Sequence, residues 1–258
     1  LADWECDALG GLIVDGEEKT LVPQATIGAE DARFFVDDKD NGNFDTTDDA
    51  KHYGSKLEIR FYRGAPSQVA DAELIAHSGG YWTEAHRGDG ICYVVVKKTY
   101  DADLFSGFPT WSFILRGAKV WDPRLDSTVG GDGPQRRDDP TTWAHSANPA
   151  ICLLNWQMGF ERSGTLFMGE GVPATDLPLD LYLACAAVCD ETVETTDGTE
   201  PRYEVSAIAV EGTEHRTILE AFVAAMAGGL YEEAGVFLPF CGASRTTAAT
   251  ITDADLLR

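Results

Sequence analysis

Long apolar runs are missing from this 258-residue chain. The most hydrophobic helical stretch, residues 218–230, contains Glu220 and is too short to cross a bilayer, and nothing near the N-terminus has the pattern of a cleavable signal. No membrane insertion is expected. Basic residues are scarce too: 20 Lys and Arg stand against 43 Asp and Glu, a net charge of -23. That balance repels phosphate backbones over the range at which association is steered, so specific nucleic-acid binding is not expected. The six cysteines, Cys6, Cys92, Cys152, Cys185, Cys189 and Cys241, contain no C-x-x-C pair, which removes the usual zinc knuckle and thioredoxin-type motif. Cys185 and Cys189 lie one helical turn apart and read as small core hydrophobes, in keeping with reduced thiols made in a cytoplasm. There is no H-E-x-x-H, no P-loop, no G-x-G-x-x-G after a strand, no G-x-S-x-G and no cysteine poised beside a histidine. His145-Ser146 precedes a helix start, where serine is ordinarily a turn or cap residue. So many acids guarantee accidental carboxylate pairs, and none stands out as a glycosidase pair. No catalytic residue and no cofactor is assigned, and no fixed-period repeat suggests a solenoid or propeller.

What the chain does have is an apolar fraction of 44%, enough to bury a substantial core in two modest domains. The fold class expected is α+β, with a β-rich domain over residues 1–125 followed by a mixed α+β domain over 126–258. Residues 57–62 and 91–100 are the clearest strands, rich in β-branched and aromatic residues and bounded by glycine turns. Residues 67–76 read as a short helix, and 122–142 as an exposed loop or domain connection. Further on, helices are expected at 180–193 and 217–228, the second with capping-box spacing between Thr217 and Glu220 and a Gly228-Gly229 stop. Strands are expected at 203–210 and 235–241, with a turn at 195–201. The chain starts with Leu and ends at Arg258 without a cap or tail, a pattern expected of a piece of a longer protein.

Three local features invite function. The acidic stretch of residues 37–49 offers Asp37, Asn41, Asp45 and Asp48 as calcium candidates, because hard cations want several oxygens from a tight, glycine-kinked loop. Its register departs from that of an EF-hand, since Lys39 falls at a ligand position, and an exposed turn between strands is the competing reading. His86-Arg-Gly-Asp-Gly90 holds an adhesion tripeptide, but a hairpin turn before the next strand accounts for it. Six tryptophans, Trp4, Trp82, Trp111, Trp121, Trp143 and Trp156, suit either core and interface packing or an exposed sugar platform, and the core patterning around three of them favours packing.

Two linked segments carry most of the information. In residues 107–124, Trp111, Phe113 and Leu115 alternate with Ser112, Ile114 and Arg116 as a strand would, Gly117 ends the run, residues 119–121 form a second short strand, and Asp122-Pro123 stops it. In residues 143–159, Asn148 is an N-cap, Pro149 suits the first helical position and Gly159 suits the stop, so a short buried helix is expected. These segments are joined, in order, by Gly11-Leu-Ile-Val-Asp-Gly16, Trp82-Thr-Glu-Ala-His86, the strand 91–100, Phe105-Ser-Gly-Phe-Pro109, Arg116-Gly-Ala-Lys-Val-Trp-Asp-Pro-Arg124, Asn148-Pro-Ala150, residues 180–190 and Ala227-Gly-Gly-Leu230. In that order and spacing, from about Leu57 onward and more loosely upstream at residues 11–16, the chain resembles the tail-tip (tip attachment protein J) and central hub proteins of long-tailed bacteriophages.

The resemblance implies a non-enzymatic structural protein of a phage or prophage virion, made in the bacterial host cytoplasm and placed at the distal end of the tail. It implies a homotrimeric ring with barrel-like hub domains around a channel that closes the tail tube and lets DNA pass at ejection. Tail tube, distal tail and tape-measure proteins are the implied partners. Trp111, Arg116, Trp121, Asp122, Pro123, Arg124, Asn148, Pro149 and Trp156 are the expected packing and interface positions. The negative charge would then line the lumen or the exterior, where DNA slides without sticking. A tail-associated cell-wall hydrolase and a carbohydrate- or receptor-binding module using exposed tryptophans are the alternatives.

Overall fold

Asp15 and Gly16 both adopt positive φ, 51° and 88°, in the two-residue turn between β1 (Cys6–Val14) and β2 (Glu17–Gln24). Such a turn matches the twist of antiparallel strands and favours Asp, Asn or Gly at these positions. Asp15 is also tied to the start of a distant strand. Its amide donates to the Thr110 carbonyl at 3.0 Å, and its carboxylate accepts from the Thr110 amide at 2.8 Å. The structure is a computed structural model that describes residues 1–38, 53–105, 107–196 and 198–243. It is a mixed α+β chain, richer in strand than in helix, and its contacts divide it into two compact units, Leu1–Lys119 and Val120–Arg258.

In the first unit β3 (Ala32–Asp38), β4 (Gly54–Tyr62) and β5 (Tyr93–Lys98) extend the antiparallel meander, and β6 (Trp111–Ala118) returns to the outer side of β1. The strand order is β5-β4-β3-β2-β1-β6, and the sheet curls into a half-barrel. Bulges at Leu9/Gly11 and Phe35/Val36 add the local bend and twist that such curvature needs. Along β6 the alternation expected from sequence holds: Trp111, Phe113 and Leu115 are half-buried against the core, while Ser112, Ile114 and Arg116 are exposed. The core is built from Leu12, Val36, Leu57 and Ile59, all without accessible surface, together with Leu9, Val14, Phe61 and Phe105. Each such side chain contributes about 1.5–3 kcal/mol on removal from water.

β4 is buried on both faces. Leu57, Ile59 and Phe61 face the apolar core, whereas Glu58, Arg60 and Tyr62 meet the segment carrying α1 (Ala72–His77). That helix is shorter than the expected 67–76, because Asp71 caps it and accepts the Leu74 amide at 2.8 Å. Arg60 donates to both Asp71 oxygens at 2.8 and 3.1 Å and to Glu58 and Glu73, each at 3.0 Å. The Tyr62 hydroxyl donates to Asp71 at 2.8 Å. Burial works against the Asp71 carboxylate, but these hydrogen bonds outweigh it and hold its pKa below the usual range.

The second unit contains α2 (Pro149–Met158), a hairpin of β7 (Phe160–Arg162) and β8 (Thr165–Met168), then α3 (Leu179–Cys189), a hairpin of β9 (Thr192–Thr195) and β10 (Gly198–Pro201), α4 (His215–Ala225), and a hairpin of β11 (Gly229–Glu233) and β12 (Val236–Phe240). α2 is the expected buried helix. Asn148 caps it, accepting the Ala150 and Ile151 amides at 3.1 and 3.3 Å, and Gly159 ends it with φ 84°. It is apolar nearly all round, with Ala150, Ile151, Leu153 and Leu154 fully buried, as a helix enclosed by its unit must be. Cys185 and Cys189 are buried on α3 as expected.

Further expectations are corrected in this unit. The short strand at 119–121 reduces to a single bridge between Val120 and Ala144. Helix α3 stops at Cys189 instead of 193, because residues from Thr192 pair with Gly198–Pro201, and the expected turn at 195–201 includes one arm of that hairpin. The alternating stretch 203–210 is not a strand. Tyr203 and Val205 donate to the Cys189 and Ala147 carbonyls at 3.1 and 2.8 Å, but among the described residues no strand lies beside the remainder, and Ile208 and Val210 are exposed. Finally, α4 starts at His215, so Thr217 lies inside its first turn with its amide donating to the Glu214 carbonyl, and there is no capping box.

Candidate functional site

The residues from 120 to 148 precede α2, and their polar groups converge on it. Asn155, inside the apolar helix, behaves like a neighbouring strand towards Trp121: its Oδ1 accepts the Trp121 amide at 2.9 Å and its Nδ2 donates to the Trp121 carbonyl at 2.7 Å. The Trp121 indole N–H donates to Asp126 at 2.9 Å. The other Asp126 oxygen accepts from the Thr128 amide and hydroxyl and from Arg136. The Asp122 amide donates to the Gln135 side chain at 2.8 Å, and the Gln135 amide donates back to the Leu125 carbonyl at 2.9 Å. The stretch 122–142, expected as an exposed loop, is therefore an anchored one, with Asp122, Asp126 and Gln135 buried. Gly131 and Gly133 belong to this packing: a Cβ on the first would strike the Pro123 and Arg124 carbonyl oxygens, and on the second the Leu125 carbonyl oxygen.

Arg124 and Asn148 meet at one carboxylate. Arg124 is folded onto Asp122 through contacts of 2.7–3.1 Å and donates to Asp190 at 2.6 Å, while the Asn148 side-chain Nδ2 donates to the other Asp190 oxygen at 2.8 Å and to the Ala186 carbonyl at 2.9 Å. Asp190 is the C-cap of α3, so this carboxylate joins the Asp-Pro-Arg turn, the start of α2 and the end of α3. The hydrogen bond to Asp122 chiefly raises the Arg124 pKa, against the effect of burial. Hydrogen bonds, that from the Thr128 hydroxyl foremost, hold the Asp126 carboxyl down to about 2. Both ions are thus fixed in their charged forms.

The structure brings Trp121, Asp122, Pro123, Arg124, Asn148 and Pro149 together with Asp190. Trp156 is buried further along α2, its ring 5.8 Å from that of His215. Trp111 and Arg116 lie in the first unit on β6, opposite Val14 and Ala8 of β1, and Arg116 is largely exposed, 3.1 Å from Asp7. Asn155, Asp126, Gln135 and Asp190 were not singled out from sequence. The signal for Asn155 was available: it is a polar residue in an otherwise apolar helical run. Asp126 and Gln135 acquire meaning through the folding of residues 121–136 onto themselves, and Asp190 through contacts 66 and 42 residues away.

Of the calcium candidates, Asp37 is buried on β3 opposite Thr20, and Asn41, Asp45 and Asp48 lie outside the described residues. Among the described residues no group of three His, Cys, Asp or Glu is arranged to hold a metal ion. The Arg-Gly-Asp tripeptide sits in a turn clamped by Gln68, whose amide donates to the carbonyls of Arg87, Gly88 and Ile91. It lies near the end of the long connection, residues 63–92, between the paired strands β4 and β5, rather than in a tight hairpin. Ser146 is a turn residue that accepts the Asn148 amide at 3.1 Å. None of the six tryptophans is exposed. No helix among the described residues is long and apolar enough to cross a membrane. The junction around Asp190 has the chemistry of a clamp, with opposite charges and amides holding three backbone segments at fixed separations. No protein-family model matches this chain, and no curated protein matches it.

Proposed function

We propose that the chain is a structural component of a bacteriophage or prophage tail tip, forming part of the distal hub ring that closes the tail tube and lets DNA pass at ejection. The observation that carries this reading is the junction itself. The Trp121-Asp-Pro-Arg124 and Asn148-Pro-Ala150 segments, on which the resemblance to phage hub proteins chiefly rests, are the segments tied together through Asn155 and Asp190. Residues that belong to one motif set by resemblance thereby share one mechanical task, fixing the second unit's framework. Such a role needs rigidity and large numbers of satisfied polar groups rather than a reactive centre. The ring would be built from self-association, with tail tube, distal tail and tape-measure proteins as further partners, and its acidic surface would repel the passing DNA.

Immunogold labelling of purified virions with antibody raised against this chain tests the assignment. Gold at the distal end of the tail is the expected result, and a chain absent from particles or found on the head overturns it. Mass photometry of the purified chain should register a species of about three times 27.9 kDa where the ring forms without partners.

A further inference from the structure

The first unit brings Cys6 and Cys92 together, and the second brings Cys189 and Cys241 together. We propose that these are two disulfide-forming pairs, Cys6–Cys92 and Cys189–Cys241, each locking one unit when the chain leaves a reducing cytoplasm. The proposal is independent of the tail-tip reading.

The geometry is clearest in the second unit. The Cys189 and Cys241 sulfurs are 3.8 Å apart, in van der Waals contact and 52 residues apart in sequence. Cys189 is the last residue of α3 and Cys241 follows β12, and both are buried. In the first unit Cys6 and Cys92 are buried in one apolar core, Cys6 beside Arg63 and Cys92 against the neighbouring Gly64. Their backbones are pinned: the Cys6 amide donates to the Arg63 carbonyl at 2.8 Å, and Cys92 exchanges two bonds with Ala2, at 2.8 and 3.1 Å. A bond of about 2.05 Å is reached from such contacts by small side-chain rotations, without moving the strands apart. Cys152 stands outside both pairs, its thiol donating to the Ser146 carbonyl at 3.4 Å.

The oxidant is a low-molecular-weight disulfide such as oxidised glutathione. One protein thiolate attacks a sulfur of that disulfide and expels one glutathione thiolate, leaving a mixed disulfide on the protein. The partner cysteine then attacks the protein sulfur of the mixed disulfide and expels the second glutathione thiolate. Two protein thiols lose two protons and two electrons, and one glutathione disulfide becomes two thiols. Exchange needs the thiolate. Burial pushes the Cys189 thiol up to about 12, so exchange there is fastest before the core closes over it.

The test is refolding of the full chain in a glutathione redox buffer, alkylation in denaturant, intact-mass measurement and peptide mapping. Refolding gives the oxidant access before burial is complete. The expected product has lost about 2 Da per bond, carries the 6–92 and 189–241 cross-links, and is alkylated only at Cys152 and Cys185. Cys241→Ser should abolish the second cross-link and leave the first at its original yield. Protein with native circular dichroism and six alkylated cysteines overturns the proposal, as do cross-links joining either pair to Cys152 or Cys185 at comparable yield.

Discussion

Replacing Asn155 by leucine keeps the volume of a buried side chain and removes all of its hydrogen bonds. Asn155 and Trp121 are each about 1% exposed, so water cannot replace what is lost. The Trp121 amide loses its acceptor at 2.9 Å and the Trp121 carbonyl its donor at 2.7 Å. A buried polar group left without a partner costs about 1–3 kcal/mol, giving about 2–6 kcal/mol for the two. Burial of the leucine side chain returns about 1.5–3 kcal/mol, so the central expectation is a net loss of about 2 kcal/mol. Against a typical stability of about 5–15 kcal/mol this is a large effect. Urea unfolding followed by far-UV circular dichroism should show a lower midpoint for the transition of the second unit. Native-state hydrogen exchange should show the Trp121 amide losing about tenfold of protection per 1.4 kcal/mol. Asn155→Asp retains an acceptor for the Trp121 amide but sets a negative charge against the Trp121 and Ile151 carbonyls that Asn155 now donates to, and should be destabilising at neutral pH. A leucine variant with an unchanged midpoint and a Trp121 amide as protected as in the parent would refute the clamp.

In the first unit, Arg60→Met strands the Asp71 carboxylate, whose side chain is 1% exposed, and should cost about 3–5 kcal/mol in urea unfolding; adding Asp71→Leu should recover part of that loss. Acid should weaken the fold, because Asp71 and Glu73 have lowered pKa values and Asp126 sits at about 2 in the folded chain. A depressed carboxyl contributes stability that is complete above its unfolded pKa near 4 and is lost as pH falls towards 2, so Tm should hold between pH 7 and 5 and drop steeply below 4. Glu170 has the opposite sign: burial raises its pKa, and one carboxylate oxygen is buried without a hydrogen-bond partner. Its ionisation costs stability as pH rises, so Glu170→Gln should raise Tm at pH 7 and leave it nearly unchanged at pH 4. Gly133→Ala forces a methyl against the Leu125 carbonyl oxygen and should lower Tm by several degrees, a typical result of about 1–2 kcal/mol of strain.

Local chemistry made part of this architecture legible in advance. Asn148, Pro149 and Gly159 specify α2 by capping and backbone preference, which act within a few residues, and the alternation along β6 follows from one buried sheet face. Residues 203–210 show where such reasoning fails: alternation records strand propensity, but a strand also needs a neighbour, and propensity is silent about whether one is present. The junction was only half visible. Its Asp-Pro-Arg and Asn-Pro elements stand out as turn and cap chemistry, whereas Asp190 lies 66 residues from Arg124 and 42 from Asn148. An acid at the end of an apolar helix has many ordinary explanations until folding brings a cation and an amide to it. The Gly130–Gly133 stretch misled for a related reason, since glycine serves close backbone packing as well as loops.

The strand order β5-β4-β3-β2-β1-β6 also governs how the first unit is made. Strands β1 to β5 can pair in sequence as they leave the ribosome, each with the strand before it. The outer edge of β1 must wait for β6, since the pairing runs from Cys6 with Ala118 to Val14 with Trp111. At roughly 5–20 residues per second of synthesis, that interval is on the order of 5–20 s. During it the nascent chain carries an open, largely apolar edge, and a slow or interrupted translation of the segment between β5 and β6 would lengthen its exposure to mispairing. Synonymous codon changes in that stretch should therefore alter the yield of folded protein without altering a single residue.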